Sequence, residues 1–254
     1  MNAHAKAFWL PKDGSNEAEY EDAFFPYRER EFALSRTPRF AISDGATEAS
    51  FSRLWARLLV TSFVRGKLEL PLQLEQLAKP QQCWAKKVHT RKLPWYGEEK
   101  IGSGAFASLL GIEFKAKNGA NSGGLWSAAS VGDSCLVQVR ENRIEHSFPL
   151  ATAASFTSRP ELLSSLPEFN RAEADFISSA EGTWHCGDHF FLMTDALACW
   201  FLKNHEQGNR PWILLMNLNN AETQTTFPEF VSELRSNNEI KNDDVTLLSV
   251  NITE

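Results

Sequence analysis

Hydrophobic and polar positions along this chain switch between two periods. Residues 39–45, RFAISDG, make a short apolar run closed by Asp-Gly, the pattern of a buried strand feeding a turn. The period then lengthens. Phe51, Leu54, Trp55, Leu58 and Leu59 recur at i, i+3, i+4, i+7 and i+8, which predicts an amphipathic helix with Thr47 as its N-cap. Phe51, Trp55 and Phe63 form its core-facing aromatic stripe. A second helix is expected over 72–88, broken at Pro80. From Ser103 the texture becomes strand-like: SGAFASLLGIEFKAK, LWSAASVGDSCLVQVR and IEHSF are separated by Gly- and Asn-rich turns. Residues 158–180, with Pro160 and Pro167, read as a helical or irregular excursion. Residues 189–204 read as a strand turning helical after Asp195, 227–236 as a short helix, and 243–252 as a β-branched final strand. Meander strands with inserted helices predict an α+β protein whose helices pack outside antiparallel sheets.

Composition narrows the classes. The 254 residues are 43% apolar and 23% charged, enough to bury a substantial core, and are expected to form one domain over 1–254. A net charge of −6 argues against a nucleic-acid partner, which calls for a basic face. No run of about 18 apolar residues predicts a membrane span, and the apolar stretch near the start is too short for a signal-peptide core. Cys83, Cys135, Cys186 and Cys199 form no CxxC pair; they read as small buried hydrophobes in a reducing cytoplasm.

The aspartates are placed more tellingly. Asp44 ends one strand, Asp133 follows another, Asp195 ends a third and Asp243 opens the last, while Asp22 lies beside an apolar segment expected to be the first strand. Each, taken singly, also fits a turn residue bonding its own backbone. If those strand ends share one edge, the carboxylates converge with no lysine or arginine between them. Such a cluster raises its own pKa values and calls for a hard cation, Mg²⁺ or Mn²⁺.

Five blocks in order strengthen that reading: GSNEAEYEDAF (14–24), FAISDGA (40–46), GSGAFASLLGIEF with SAASVGDS (102–114 and 127–134), GDHFFLMTDAL (187–197) and DDVTLL (243–248). Together they resemble the metal-dependent serine/threonine protein phosphatases of the type 2C family. The resemblance implies a four-layer α-β-β-α sandwich of two antiparallel sheets flanked by helices. It implies that Asp44 bridges two metal ions, that Gly45 offers its carbonyl to the second, and that Asp195 and Asp243 bind the first. Glu21 and Asp22 then hold metal-bound waters, and Asp133 serves a third, weaker ion. The implied activity is hydrolysis of phosphate monoesters on phosphoproteins by a metal-bridging hydroxide, with Asp44 and Asp22 as the catalytic acids. A cognate serine/threonine kinase is the implied partner, with neither nucleic acid nor membrane.

Departures from the family pattern concern substrate handling. Ala46 stands where many members have histidine, Glu17 where a phosphate-binding arginine is usual, and Tyr20 where asparagine is common. Ala196 follows Asp195 in place of glycine, and Cys135 replaces an arginine. If a substitute cation exists, Arg36 and Arg39 are the nearest in sequence. The alternative function is a weak or inactive phosphatase-like regulatory or binding module; a third is hydrolysis of a small phosphate ester. Two other motifs have plainer readings. His185-Cys186-Gly187-Asp188-His189 lacks a second ligand pair for zinc and fits a turn. The basic and aromatic stretch 83–100 fits a solvated helix end and loop better than a polyanion contact.

Overall fold

Strands whose side chains point alternately to opposite faces build two antiparallel sheets, and the faces they bury decide the layers. The computed structural model describes residues 1–46, 51–90, 102–117, 123–171, 175–218 and 226–254. Thr47, the expected helix cap, and Arg91, Lys92, Trp95 and Tyr96 of the basic stretch lie outside the described residues.

One sheet has six strands, in the order β3 (Arg30–Ala33), β1 (Asn2–Leu10), β13 (Val245–Thr253), β12 (His189–Met193), β8 (Cys135–Arg140) and β9 (Arg143–Phe148). The other has five: β11 (Ser178–Trp184), β7 (Gly124–Val131), β6 (Leu109–Ala116), β4 (Arg39–Ser43) and β2 (Ala23–Phe25). A short ladder joins β5 (Phe106–Ala107) to β10 (Leu163–Ser164).

The two-residue period sorts side chains between layers. On β13, Leu248, Val250 and Ile252 face the core between the sheets, together with Phe40, Ile42, Phe114, Trp126 and Phe190. Val245 and Leu247 face the other way, into an outer core with α3 (Asp195–Glu206), α4 (Pro211–Asn217) and α5 (Phe227–Ser236). On the five-stranded sheet, Ala41, Leu109, Ala129 and Val131 face α1 (Ser52–Val64) and α2 (Ala78–His89). Helices therefore cover the outer face of each sheet, giving the α-β-β-α sandwich. Trp55 and Phe63 of the aromatic stripe are fully buried, as their spacing predicts.

Several expectations need correction. The first strand is Asn2–Leu10, and the apolar segment after Asp22 is the second. β1 was hidden because its residues are half-buried and mixed in polarity, yet it pairs with β13 along nine positions. The second helix is not broken at Pro80: a 3₁₀ turn covers Leu74–Leu77, and Pro80 falls in the first turn of α2, where a missing N–H costs little. The stretch 158–180 contributes β10, a 3₁₀ turn at Pro167–Phe169 and the start of β11. Cys135 is buried and its thiol is pushed up to about 12, chiefly by burial, but Cys186 is exposed. Asp188, in the His-Cys motif, is fully buried in a salt bridge with Arg140 of the neighbouring strand β8.

Candidate metal centre

Strand register brings the aspartates together. Met193 pairs with Cys135 on one side and Leu247 on the other, so the end of β12, the start of β8 and the start of β13 lie side by side. In the second sheet Ser43 pairs with Ala23, which sets the end of β4 beside the start of β2. Asp44, Asp133, Asp195 and Asp243 then line a single cavity of about 470 Å³, with Gly45, Ala46, Lys241 and the rim residues Thr157, Ser158, Arg159, Pro160 and Leu162.

Ser108 holds the backbone of Asp44 in place and links it to the turn that carries Asp133. The Asp44 N–H donates to Ser108 Oγ at 2.9 Å, and the Asp44 carbonyl accepts from the Ser108 N–H at 2.8 Å. Ser108 Oγ also meets Ser134 Oγ at 3.1 Å, next to Asp133. Gly132 turns the chain there with φ +100, and a Cβ on it would come within 2.7 Å of the Ser108 Cβ. Gly45 has the same tightness: a Cβ would sit 2.8 Å from the Glu21 carbonyl oxygen. Asp195 occupies the first turn of α3, where the helix dipole favours a carboxylate. The Asp243 carbonyl accepts from buried Arg235 at 2.7 Å, which in turn pairs with Asp13 at 2.9 Å.

Behind the pocket, Asp22 is 2% exposed and accepts from Thr246 Oγ1 at 2.6 Å. Tyr20, also buried, places its hydroxyl against the same Thr246 hydroxyl. Glu21 is turned to Ser52, whose Oγ donates to it at 2.6 Å, and does not line the pocket. Asp244 staples the connection between β1 and β2 by accepting from the N–H groups of Lys12 and Glu21 at 2.9 and 2.7 Å.

Burial, followed by repulsion from Asp22, Asp195, Asp243 and Asp133, holds the Asp44 carboxyl well above the usual range. Asp22 is raised chiefly by burial, and Asp195 by burial and then Asp243. Asp133 is pushed up to about 7 by burial and then Asp195. Two oxygens, Asp22 Oδ1 and Asp195 Oδ1, are buried with no hydrogen-bond donor among the described residues. Crowded hard-oxygen donors with unfilled lone pairs suit a divalent cation of the Mg²⁺ or Mn²⁺ kind. As placed, however, no three histidine, cysteine or carboxylate side chains among the described residues close around one point.

Two expectations about cations fail. A lysine does stand between the acids: Lys241 Nζ lies 2.6 Å from Asp243 Oδ2 and 3.7 Å from Asp195 Oδ2. Neither Arg36 nor Arg39 reaches the pocket. Arg39 salt-bridges Glu113 and donates to the Phe63 and Leu68 carbonyls, while Arg36 is exposed on a 3₁₀ turn. Glu17 is exposed and outside the pocket. The cations that do line it are Lys241 and Arg159. Sequence reasoning also missed Ser108, Thr246 and Asp244, whose roles arise from pairings across the fold; only the polar character of Thr246 in an apolar strand hinted at one of them.

No protein-family profile matches the sequence, and no curated protein matches it. Solved structures do match the fold. The serine/threonine phosphatase PstP/Ppp of Mycobacterium tuberculosis is 14% identical with a TM-score of 0.60, and 100% of each chain is covered. The photosystem II phosphatase PBCP is 16% identical with a TM-score of 0.56 over 99% of each chain. The catalytic domain of PstP in complex with two manganese ions is 13% identical with a TM-score of 0.55, covering 99% of this chain and 100% of that one. Along its length this chain has the fold of the type 2C serine/threonine phosphatases, as its five sequence blocks implied.

Proposed function

We propose that this protein is a metal-dependent phosphoprotein (serine/threonine) phosphatase, with residues 1–254 acting as one type 2C-like domain. The observation that carries the reading is the convergence of Asp44, Asp133, Asp195 and Asp243 on one pocket, where buried acids repel one another and oxygens lack donors. The shared fold and the two manganese ions in the PstP complex support it. In this reading Asp44, the Gly45 carbonyl, Asp195 and Asp243 would hold two Mg²⁺ or Mn²⁺ ions. Asp22 would steady their water shell from behind, Glu21 would join it only by turning from Ser52, and Asp133 would serve a third, weaker ion. Bound there, the ions would activate water near neutral pH and neutralise charge on the phosphoryl oxygens.

The chain's own residues do the positioning. Ser108 fixes the backbone of Asp44 through two hydrogen bonds, and Thr246 fixes Asp22. Arg159, exposed at the rim, is the cation assigned to meet the incoming phosphate. A phosphoprotein substrate and a cognate kinase are the partners this reading entails. Its setting is the cytoplasm, which the four free cysteines support. Among the described residues no helix is long and apolar enough to cross a membrane.

A second reading, a regulatory module with little or no turnover, is favoured by the pairing of Lys241 with two of the proposed ligands. Hydrolysis of an aryl phosphate and of a phosphoserine peptide separates the two. Activity that appears with Mn²⁺, vanishes with chelator and is lost in Asp44→Asn is the expected result. A wild type inert on both substrates with either metal hands the protein to the second reading.

A further inference from the structure

Besides Arg159 at the rim, the pocket holds a positive charge in direct contact with the acids. Lys241 lies in the segment that joins α5 to β13, two residues before Asp243, and the Asp243 N–H donates to the Lys241 carbonyl at 3.0 Å. That tight turn folds the lysine side chain back over its neighbour. Its ammonium group contacts Asp243 Oδ2 at 2.6 Å and approaches Asp195 Oδ2 at 3.7 Å, while Asp195 Oδ1 has no hydrogen-bond partner among the described residues. This ammonium group reaches only two of the four pocket carboxylates, Asp243 and Asp195. The side chain of Lys241 is 67% exposed, whereas those of Asp195 and Asp243 are 19% and 24% exposed. The lysine is therefore free to swing into water, and the acids are not free to follow it.

We propose that Lys241 is a tethered counter-cation that competes with divalent metal ions for Asp195 and Asp243, filling part of the metal seat until an ion displaces it. The inference rests on the metal-site reading above and goes beyond it, because it assigns the chain a built-in ceiling on its metal affinity. Two ion-pair contacts must break before Asp243 and Asp195 can both turn to a metal. Hydrogen bonds to charged groups are strong enough that removing this competitor should tighten binding by about ten- to a hundredfold.

Calorimetric titration of Mn²⁺ without substrate tests it, on the full chain and on Lys241→Gln, Lys241→Arg and Lys203→Gln. Lys203 lines the adjoining cavity with Asp133 and Asp195, so its variant reports the effect of removing a nearby charge without emptying the seat. Lys241→Gln should bind about ten- to a hundredfold tighter than wild type, Lys241→Arg should stay close to wild type, and Lys203→Gln should gain no more than about twofold. Mass-spectrometric labelling by an amine-reactive reagent gives a second readout: Lys241 should become several-fold more reactive when Mn²⁺ is added to wild type. Binding in Lys241→Gln alone would be the extreme form of the same result. Equal or weaker binding in Lys241→Gln overturns the proposal and leaves the metal site standing, as does an equal gain in Lys203→Gln. Absence of Mn²⁺ binding in every variant overturns the metal reading itself and this proposal with it.

Discussion

Strand β12 carries an aspartate near each end, and the two live in opposite chemical worlds. Asp188, just before the strand, is fully buried yet fully answered: Arg140 donates to it twice at 2.7 Å, Gln138 at 2.8 Å and the His185 N–H at 2.9 Å. Asp195, after the strand, keeps a buried oxygen without a donor and faces other carboxylates across the pocket. Asp188 closes a turn and Asp195 opens a helix, but nothing in the neighbouring residues says which of the two meets an arginine. The difference teaches that a buried acid with matched donors holds the fold together, whereas one crowded by its own kind is poised for a ligand from outside.

The largest expected effect breaks the satisfied end. Arg140→Ala leaves Asp188 buried without its main counter-charge, which should destabilise the protein by about 3 kcal/mol. Urea unfolding measures this, and Mn²⁺ affinity should be unchanged because the other end of β12 is untouched. At the unsatisfied end the expectation reverses. Asp44→Asn removes one of the repelling charges, so the metal-free protein should melt no lower than wild type. The same variant should lose the Mn²⁺-induced rise in melting temperature and about 100-fold or more in phosphatase rate, the scale for deleting one preorganised electrostatic group. Full activity in that variant would sink the assigned role of Asp44.

Acid titration sharpens the contrast further. Unfolded, the Asp133 carboxyl ionises at its ordinary value of 3.8; folded without metal, it keeps its proton up to about 7. Between those values the folded state binds the extra proton, so this group's contribution is fully present below the unfolded pKa and is lost as pH rises through the folded one. Asp44, Asp22 and Asp195, also raised, act in the same direction. Denaturant midpoints of metal-free protein should therefore fall between pH 4 and pH 7, and saturating Mn²⁺ should flatten that slope. A midpoint that climbs with pH in the metal-free protein would contradict the cluster.

Smaller effects test the walls of the pocket. Gly45→Ala must push a Cβ against the Glu21 carbonyl, 2.8 Å away, at a cost of about 1–3 kcal/mol by thermal melting. Glu17→Arg should change kcat/KM for an aryl phosphate by less than about twofold, since Glu17 is exposed and outside the pocket. A tenfold gain there would mean that position 17 reaches the substrate after all.

Much of the fold and the acid set was legible in the chain because both depend on local pattern. The apolar runs of β4 and β12, the 3.6-residue stripe of α1 and the aspartates that follow β4 and β12 or precede β13 are read within a few residues. β1 escaped because a strand whose residues are only half-buried shows little contrast between its faces. Position 17 illustrates the limit: the first sequence block set Glu17 where the family's phosphate-binding arginine is usual, and the folded loop leaves it in solvent.

The sequence by itself determined an acidic α+β protein with aspartates at strand ends, since turn chemistry and hydrophobic periodicity are properties of neighbouring residues. Only the tertiary structure decided that Asp44, Asp133, Asp195 and Asp243 share one cavity while Asp188 is bound to Arg140 elsewhere. Only it put Lys241 between Asp195 and Asp243, and Ser108 and Thr246 behind the acids. The physical reason is strand register. Which carboxylate meets an arginine, a lysine or another carboxylate depends on which strand ends lie side by side, and those pairings join residues as far apart as Ala3 and Ile252.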